Sequence, residues 1–302
     1  MKGQVIIAGV EVPSESSSYA FDRFNQNELD RLMRQGRATW DDEVEFLRWA
    51  GLRTGDRVLD VGCGPGVISG LIADFVGPEG MVTGIDISDE LLATGQILNR
   101  DRVTFIKGSV YELGTFRGQF DFAYVRLLFQ HLSRPLDAMA QVLAILRPGG
   151  RACVLDSDEA VLGIHPQPPG LARLVSETQE LQRQRGGDRF VGGRLAYYMK
   201  AAGFKEVEPR IFVMTPDSMG RKQFLDTTLS WRPLLYPNGA RQQAQEEMER
   251  IYRHAEEFMV SGYSGSFVVR GCAPLPAEGA NAQLRPTHTR GKNGELETCK
   301  NK

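Results

Sequence analysis

Short apolar runs and helical stripes take turns along the middle of the chain. "RVLDV" (57–61) reads as a strand, and Val67, Ile68, Leu71, Ile72 and Phe75 then recur at helical spacing. "MVTGID" (81–86), "VTFIKG" (103–108), "FDFAYV" (120–125) and "RACVLD" (151–156) read as further short strands. Between the last two, Ser133 and Pro135 open a helix whose inner face is Leu136, Met139, Leu143 and Leu146. "RPGG" (147–150) ends it, because Pro148 cannot continue a helix and Gly149 tolerates a left-handed backbone. Strands separated by helices imply crossover connections, hence a parallel sheet covered on both faces.

The flanks are less regular. Residues 1–18 read as irregular, and a helical face of Leu29, Leu32 and Met33 starts at Asn27 and is broken by Gly36. Thr39 with Asp42 has the spacing of a capping box for a second helix that carries Val44 and Leu47 and stops at Gly51. After residue 158 the rhythm loosens. Leu171, Leu174, Val175 and Leu181 mark one helix, and Leu195, Tyr198, Met199 and Ala202 another. "EVEPRIFVMT" (206–215) is a strand, residues 217–260 are mostly helical, and "GSFVVRGCA" (265–273) is the last strand. The tail from 276 has no apolar periodicity and is expected to be disordered.

With 302 residues, 41% of them hydrophobic, the chain can bury a large core. A formal net charge of -2 gives no broad electrostatic hold on nucleic acid or an acidic membrane, so neither is expected as a partner. Cys63, Cys153, Cys272 and Cys299 are scattered, which suits reduced thiols and a cytoplasmic setting. "VIIAGVEV" (5–12) is short and contains Glu11, so neither a signal peptide nor a membrane span is expected.

The chemistry concentrates in "VLDVGCGPG" (58–66). Gly62, Gly64 and Gly66 follow the first strand of the regular alternation, where residues without a Cβ let a ligand lie against bare backbone. Dinucleotides and S-adenosylmethionine both use such loops. The dinucleotide fingerprint has its third glycine one residue later than this chain does. Together, "VLDVGCGPG", "GIDIS" (84–88), "FDFAYVRLLFQHL" (120–132) and "LRPGGR" (146–151) resemble, in order and spacing, the class I S-adenosylmethionine-dependent methyltransferases. The resemblance covers about residues 19–215 and is strongest at 53–156. It implies an α/β fold with a Rossmann-like seven-stranded sheet, an N-terminal helical lid and a helical insertion before the last strand. The chain would divide into the lid (1–50), a cofactor-binding core (51–158), the rest of the sheet with the insertion at 216–260 (159–275), and the tail (276–302).

The resemblance also implies roles. Asp86, at the carboxyl end of its strand, would accept hydrogen bonds from the ribose hydroxyls of S-adenosyl-L-methionine, and Ile87 would lie under the adenine. Asp60 would face the α-amino group, or else fix the loop through its backbone. Ser109 stands where the family often has Asp, so its hydroxyl replaces a carboxylate toward the adenine amine, beside the Val110 N–H. Arg126 would stand beside the methionine half of the cofactor or the substrate, and Tyr19 and Gln35 would belong to the lid. His131 and Asp156 are the candidate catalytic residues, with Asp158 and His165 nearby, and Asp156 and Asp158 are expected to face opposite ways.

No metal-ligand cluster is evident. Phe224, Leu225, Leu229, Trp231, Leu234, Leu235 and Tyr236 form either an apolar acceptor pocket or a packing or dimer face. The expected activity is methyl transfer to an O, N or C nucleophile of a small, partly apolar metabolite, secondary metabolism being one setting. An RNA or protein methyltransferase with the same core, a catalytically inactive cofactor-binding partner subunit and a nicotinamide dehydrogenase are the alternatives.

Overall fold

The computed structural model describes residues 5–7, 10–12 and 26–276; Tyr19, Cys299 and the tail from 277 lie outside the described residues. The N-terminal stretch is less irregular than its sequence suggests. β1 (Val5–Ile7) and β2 (Val10–Val12) pair antiparallel.

α1 (Gln26–Ala38) runs through Gly36 without a break. A Cβ there would sit 3.1 Å from Val67, so Gly36 serves close packing of two helices instead of ending one. α2 (Trp40–Ala50) does begin after Thr39 and ends at Gly51. The capping box, however, is absent: the Thr39 hydroxyl donates to Glu43 instead of accepting a helix N–H.

The central strands are β3 (Arg57–Val61), β4 (Met81–Asp86), β5 (Val103–Lys107) and β6 (Phe120–Arg126), with α3 (Val67–Val76) and α4 (Asp89–Leu98) between the first three. α5 (Pro135–Ala144) has Pro135 in its first turn. Its buried face is Ala138, Met139 and Val142, while Leu136 remains 43% exposed, so the predicted face is rotated from the observed one.

β7 (Leu146–His165) is far longer than the predicted 151–156. It pairs antiparallel with β9 (Ser261–Cys272) as far as His165, across an irregularity between Asp158 and Leu162. That irregularity hid the strand's second half from a reading of alternation. It also places Glu159 and Leu162 where both line the cavity described below. α6 (Leu171–Gln184), α7 (Leu195–Ala202) and β8 (Lys205–Met214) follow. The predicted helical segment then resolves into α8 (Pro216–Met219), α9 (Arg221–Leu229), a 3₁₀ turn at Arg232–Leu235 and α10 (Asn238–Glu257).

Seven strands form one sheet in the order β5-β4-β3-β6-β7-β9-β8, with β9 antiparallel to both neighbours. One face is packed by α5 and α7 through Met139, Val142, Leu195 and Met199. The other is packed by α2 and α3 through Leu47, Ile68 and Ile72. A third cluster, Ile164, Leu174, Phe224, Leu225, Leu229, Met248 and Ile251, holds α6, α9 and α10 together over the far end of β7. Of these helices, α9 and α10 lie in the segment 216–260, between β8 and β9. Chain order reverses between β3 and β6, the place where open α/β sheets leave a crevice beyond their carboxyl ends.

Candidate active site

A cavity of about 530 Å³ opens at that crevice, in the range of small-molecule sites. Its wall takes residues from the β3–α3 loop, the ends of β4, β6 and β7, the helix α1, and the insertion. Gly62 and Gly64 line it, whereas Gly66 does not. Gly64 has φ +55 and nothing within 4 Å of where a Cβ would stand, so the open space of the cavity comes down to its backbone. Gly66 is a glycine for another reason: with φ +69, a Cβ would meet the Phe105 ring at 2.4 Å. Two of the three predicted glycines therefore face the cavity, and the third lets α3 pack.

Asp86 closes the loop. Its carboxylate accepts from the Gly64 N–H and the Ser88 N–H, both at 2.9 Å, and burial raises its pKa. Lone pairs remain on both oxygens for ligand hydroxyls. Ile87 presents an exposed apolar side chain to the same cavity.

Asp60 lies below the loop, 2% exposed, and accepts from the Ser69 hydroxyl at 2.6 Å. Burial pushes its carboxyl up to about 6, against the opposing effects of the Ser69 bond and of Arg126. Ser109 and Val110 line the adjoining wall. The Ser109 hydroxyl already accepts from the Tyr111 N–H, and the Val110 N–H has no protein acceptor among the described residues.

Arg126 and Gln35 also line the cavity, tied into a buried cluster that the sequence did not reveal. Glu43, 2% exposed, receives the Arg126 Nε–H on both oxygens at 2.9 Å and the Tyr124 hydroxyl at 2.8 Å. Arg126 Nη2 also donates to Thr39 Oγ1 at 3.1 Å and to the Gln35 carbonyl at 3.4 Å. Burial alone would lower the Arg126 guanidinium, but Glu43 reverses the shift and keeps it cationic. The junction of α1 and α2 is thereby fastened to β6. A signal for Glu43 existed: it lies four residues before Leu47 and seven before Ala50, an acid on the buried helix face.

The catalytic candidates fare differently. His131 lines the cavity, but burial, reinforced by the cations Arg189 and Arg31, pushes its imidazole down to about 3. So weak a base takes a proton from an acceptor poorly. Asp156 is fully buried and does not line the cavity. Its carboxylate accepts from the Gln130 N–H at 3.0 Å and the Ser157 N–H at 2.8 Å, and burial pushes its carboxyl up to about 7. Its position is that of a buried anchor for the Gln130 turn, which corrects the expectation of a base.

Asp156 and Asp158 do not face opposite ways, because residues two apart on a strand share a face. Asp158 accepts from the backbone of Ala160 and Gly193. His165 lies beyond the cavity, beside the Tyr263 ring. Of the apolar insertion residues, Phe224, Leu225 and Leu229 turn into the core. Trp231, Leu234 and Leu235 reach the cavity.

The wall opposite the glycine loop holds a second buried cluster. Glu159 accepts from Arg189 Nε at 2.9 Å, Arg232 Nη2 at 2.8 Å and Gln179 Nε2 at 2.8 Å. The Trp231 ring lies 4.1 Å from the Arg189 guanidinium carbon and 4.6 Å from that of Arg232. Among the described residues no group of acids, cysteines and histidines has the arrangement to hold a metal ion.

Residues 58–150 match the profile of a methyltransferase domain. Demethylmenaquinone methyltransferase of Staphylococcus aureus is 30% identical over 155 residues, covering 51% of this chain and 62% of that protein. A methyltransferase of Schizosaccharomyces pombe is 32% identical over 122 residues, covering 37% of this chain and 44% of that protein. These matches support a class I S-adenosylmethionine-dependent methyltransferase, with the matching domain at residues 58–150.

The chain spans about half the length of the curated relatives it matches. Among solved structures, Haemonchus contortus phosphoethanolamine N-methyltransferase 2 superposes with a TM-score of 0.55 at 18% identity, over 88% of this chain and 62% of that one. The cyclase SpnF gives a TM-score of 0.51 at 20% identity, over 84% and 85% of the two chains. Both likenesses are of fold. No helix among the described residues is long and apolar enough to cross a membrane.

Proposed function

We propose that the chain transfers the methyl group of S-adenosyl-L-methionine to a nucleophile on a small, partly apolar acceptor. One observation carries this reading: a single cavity runs from the bare backbone at Gly64, past two buried carboxylates, to a chamber walled by Leu128, Leu132, Leu162, Met214 and Trp231. The first half fits the cofactor. Asp86 would take the ribose hydroxyls, the Val110 N–H the adenine, and Asp60 the α-ammonium. Two acids at this end also suit a ligand of net positive charge. When bound, the cofactor supplies an activated methyl on a sulfonium. The protein's part is then to hold the acceptor in line and keep water out. His131 is too weak a base to lead, so positioning carries the rate. A chamber of this size favours a metabolite over a nucleic acid or protein substrate.

S-adenosylhomocysteine should raise the melting temperature while NAD and NADP leave it unchanged, since only a ligand of the native state stabilises it. Label from methyl-labelled S-adenosylmethionine should then pass to members of a metabolite panel. Equal stabilisation by NAD would overturn the cofactor assignment. Cofactor binding with no label transfer across the panel would favour a bound cofactor without methyl transfer.

Asp60 makes cofactor binding pH-dependent. Its folded value is raised to about 6, so the carboxylate gains a proton, and loses its attraction for an ammonium, as pH falls through 6. The dissociation constant of S-adenosylhomocysteine should therefore rise by up to about tenfold between pH 7.5 and pH 5. Asp60→Asn should bind more weakly at pH 7.5 and lose this dependence. Calorimetry at both pH values decides it, and a wild-type constant that is flat or lower at pH 5 removes Asp60 from the ammonium site.

A further inference from the structure

The cluster around Glu159 is more than packing. Two guanidiniums, Arg189 and Arg232, share one carboxylate, and all three side chains are buried in the cavity wall. Burial opposes ionisation of Glu159, but the two cations outweigh it and hold the carboxyl below its ordinary value. Burial pushes Arg232 down to about 10, which leaves it cationic at neutral pH. The trio thus carries one positive charge beyond its internal pairing.

The neighbouring charged groups do not cancel that excess at the cavity surface. Asp158 has each oxygen engaged by a backbone N–H, and Asp156 lies outside the cavity. The charges felt most strongly at His131 are both cationic, Arg189 and Arg31. The two arginines are also unequal. Arg232 is spent on Thr178 and Glu159. Arg189 uses Nε on Glu159 and Nη1 on Gln130, and its Nη2 has no partner among the described residues. The Arg189 guanidinium lies over the Trp231 ring, so its free Nη2 is oriented before any ligand arrives.

We propose that Arg189 anchors a carboxylate on the acceptor, which makes the substrate an amphipathic carboxylic acid. The charge count selects a monoanion over a phosphate dianion, since one unit of charge and one free guanidinium nitrogen, Nη2, are on offer. The apolar body of the acid would lie along Leu128, Leu162, Met214 and Leu234, which line the same chamber. The proposal rests on the methyltransferase reading only in calling the bound acid an acceptor; the anion site stands on its own geometry.

The test uses the full chain saturated with S-adenosylhomocysteine and a panel of aryl and alkyl carboxylates, each paired with its primary amide, by calorimetry. At least one acid should bind about tenfold or more tightly than its amide, the range expected for a charge-assisted bond. Arg189→Gln should abolish that preference, Arg189→Lys should keep part of it, and neither should move the S-adenosylhomocysteine constant. If no acid in the panel outbinds its amide in the wild type, the proposal is overturned, whatever the variants do. It is overturned equally if folded Arg189→Gln keeps the preference. Should S-adenosylhomocysteine fail to bind while unliganded protein still prefers acids, the methyltransferase reading falls and the anion site remains.

Discussion

Glu159→Ala is expected to cost about 3–5 kcal/mol of stability, the range for leaving a buried charge without its partner. The carboxylate is 4% exposed and is the shared counter-ion of Arg189 and Arg232, which are 9% and 1% exposed. Removing it sets two buried cations against each other and leaves the Gln179 amide without its acceptor. Glu159→Gln should lose nearly as much, because it restores hydrogen bonding but not charge. Arg232→Met added to Glu159→Ala should recover part of the loss by deleting one of the stranded cations.

The pH dependence has a definite sign. Glu159 has a depressed folded value, so its contribution is present above the carboxyl's unfolded value and is lost as pH falls through the folded one. The alanine variant should therefore be less acid-sensitive than the wild type. Urea unfolding of the four proteins measures all of this, and a loss below about 1 kcal/mol, the value of an exposed pair, would mean that water already reaches the cluster.

How legible these features were in the sequence follows from how local their causes are. The strands at 57–61 and 81–86 were read to the residue, because buried parallel strands appear as continuous apolar runs between turns. The second half of β7 was missed because an irregularity at 158–162 breaks its alternation, and only the partner strand β9 shows that the pairing resumes. The glycine loop announced a ligand but not the division of labour within it. Whether Gly64 faces the cavity or Gly66 faces Phe105 depends on a strand 39 residues further on. The guanidinium cluster was invisible for the same reason: Glu159 meets Arg189 30 residues away and Arg232 73 residues away. Composition pointed to an apolar pocket in the insertion, yet the residues that reach the cavity there include Thr227, Thr228 and Arg232 beside Trp231. Apolar content marks a segment as buried without telling which face packs and which face lines a void.

Glu43→Ala should be the other severe substitution, and it should affect the cofactor as well as the fold. The carboxylate gathers Arg126, the Tyr124 hydroxyl and the Thr39 hydroxyl, joining α2 to β6 beneath the cavity. Without it the Arg126 guanidinium, 14% exposed, keeps only the Thr39 hydroxyl and the Gln35 carbonyl, and the phenol of Tyr124 loses its acceptor. The expected cost is again about 3–5 kcal/mol. Because Gln35 and Arg126 both line the cavity, loosening α1 from β6 should also weaken S-adenosylhomocysteine, a loss that a change confined to a distant core would not produce. The double variant Glu43→Ala with Arg126→Ala separates the two effects. Deleting both partners removes the stranded cation, so much of the stability should return, while cofactor affinity should stay low because the fastening of α1 is still gone. Hydrogen exchange gives an independent reading: amides of α1 should exchange faster in both variants while those of α5, on the opposite face of the sheet, are unchanged in the double variant. If the single variant unfolds at the wild-type urea concentration, or if the double variant is the less stable of the two, Glu43 is not the counter-ion that holds α1 and α2 to the sheet.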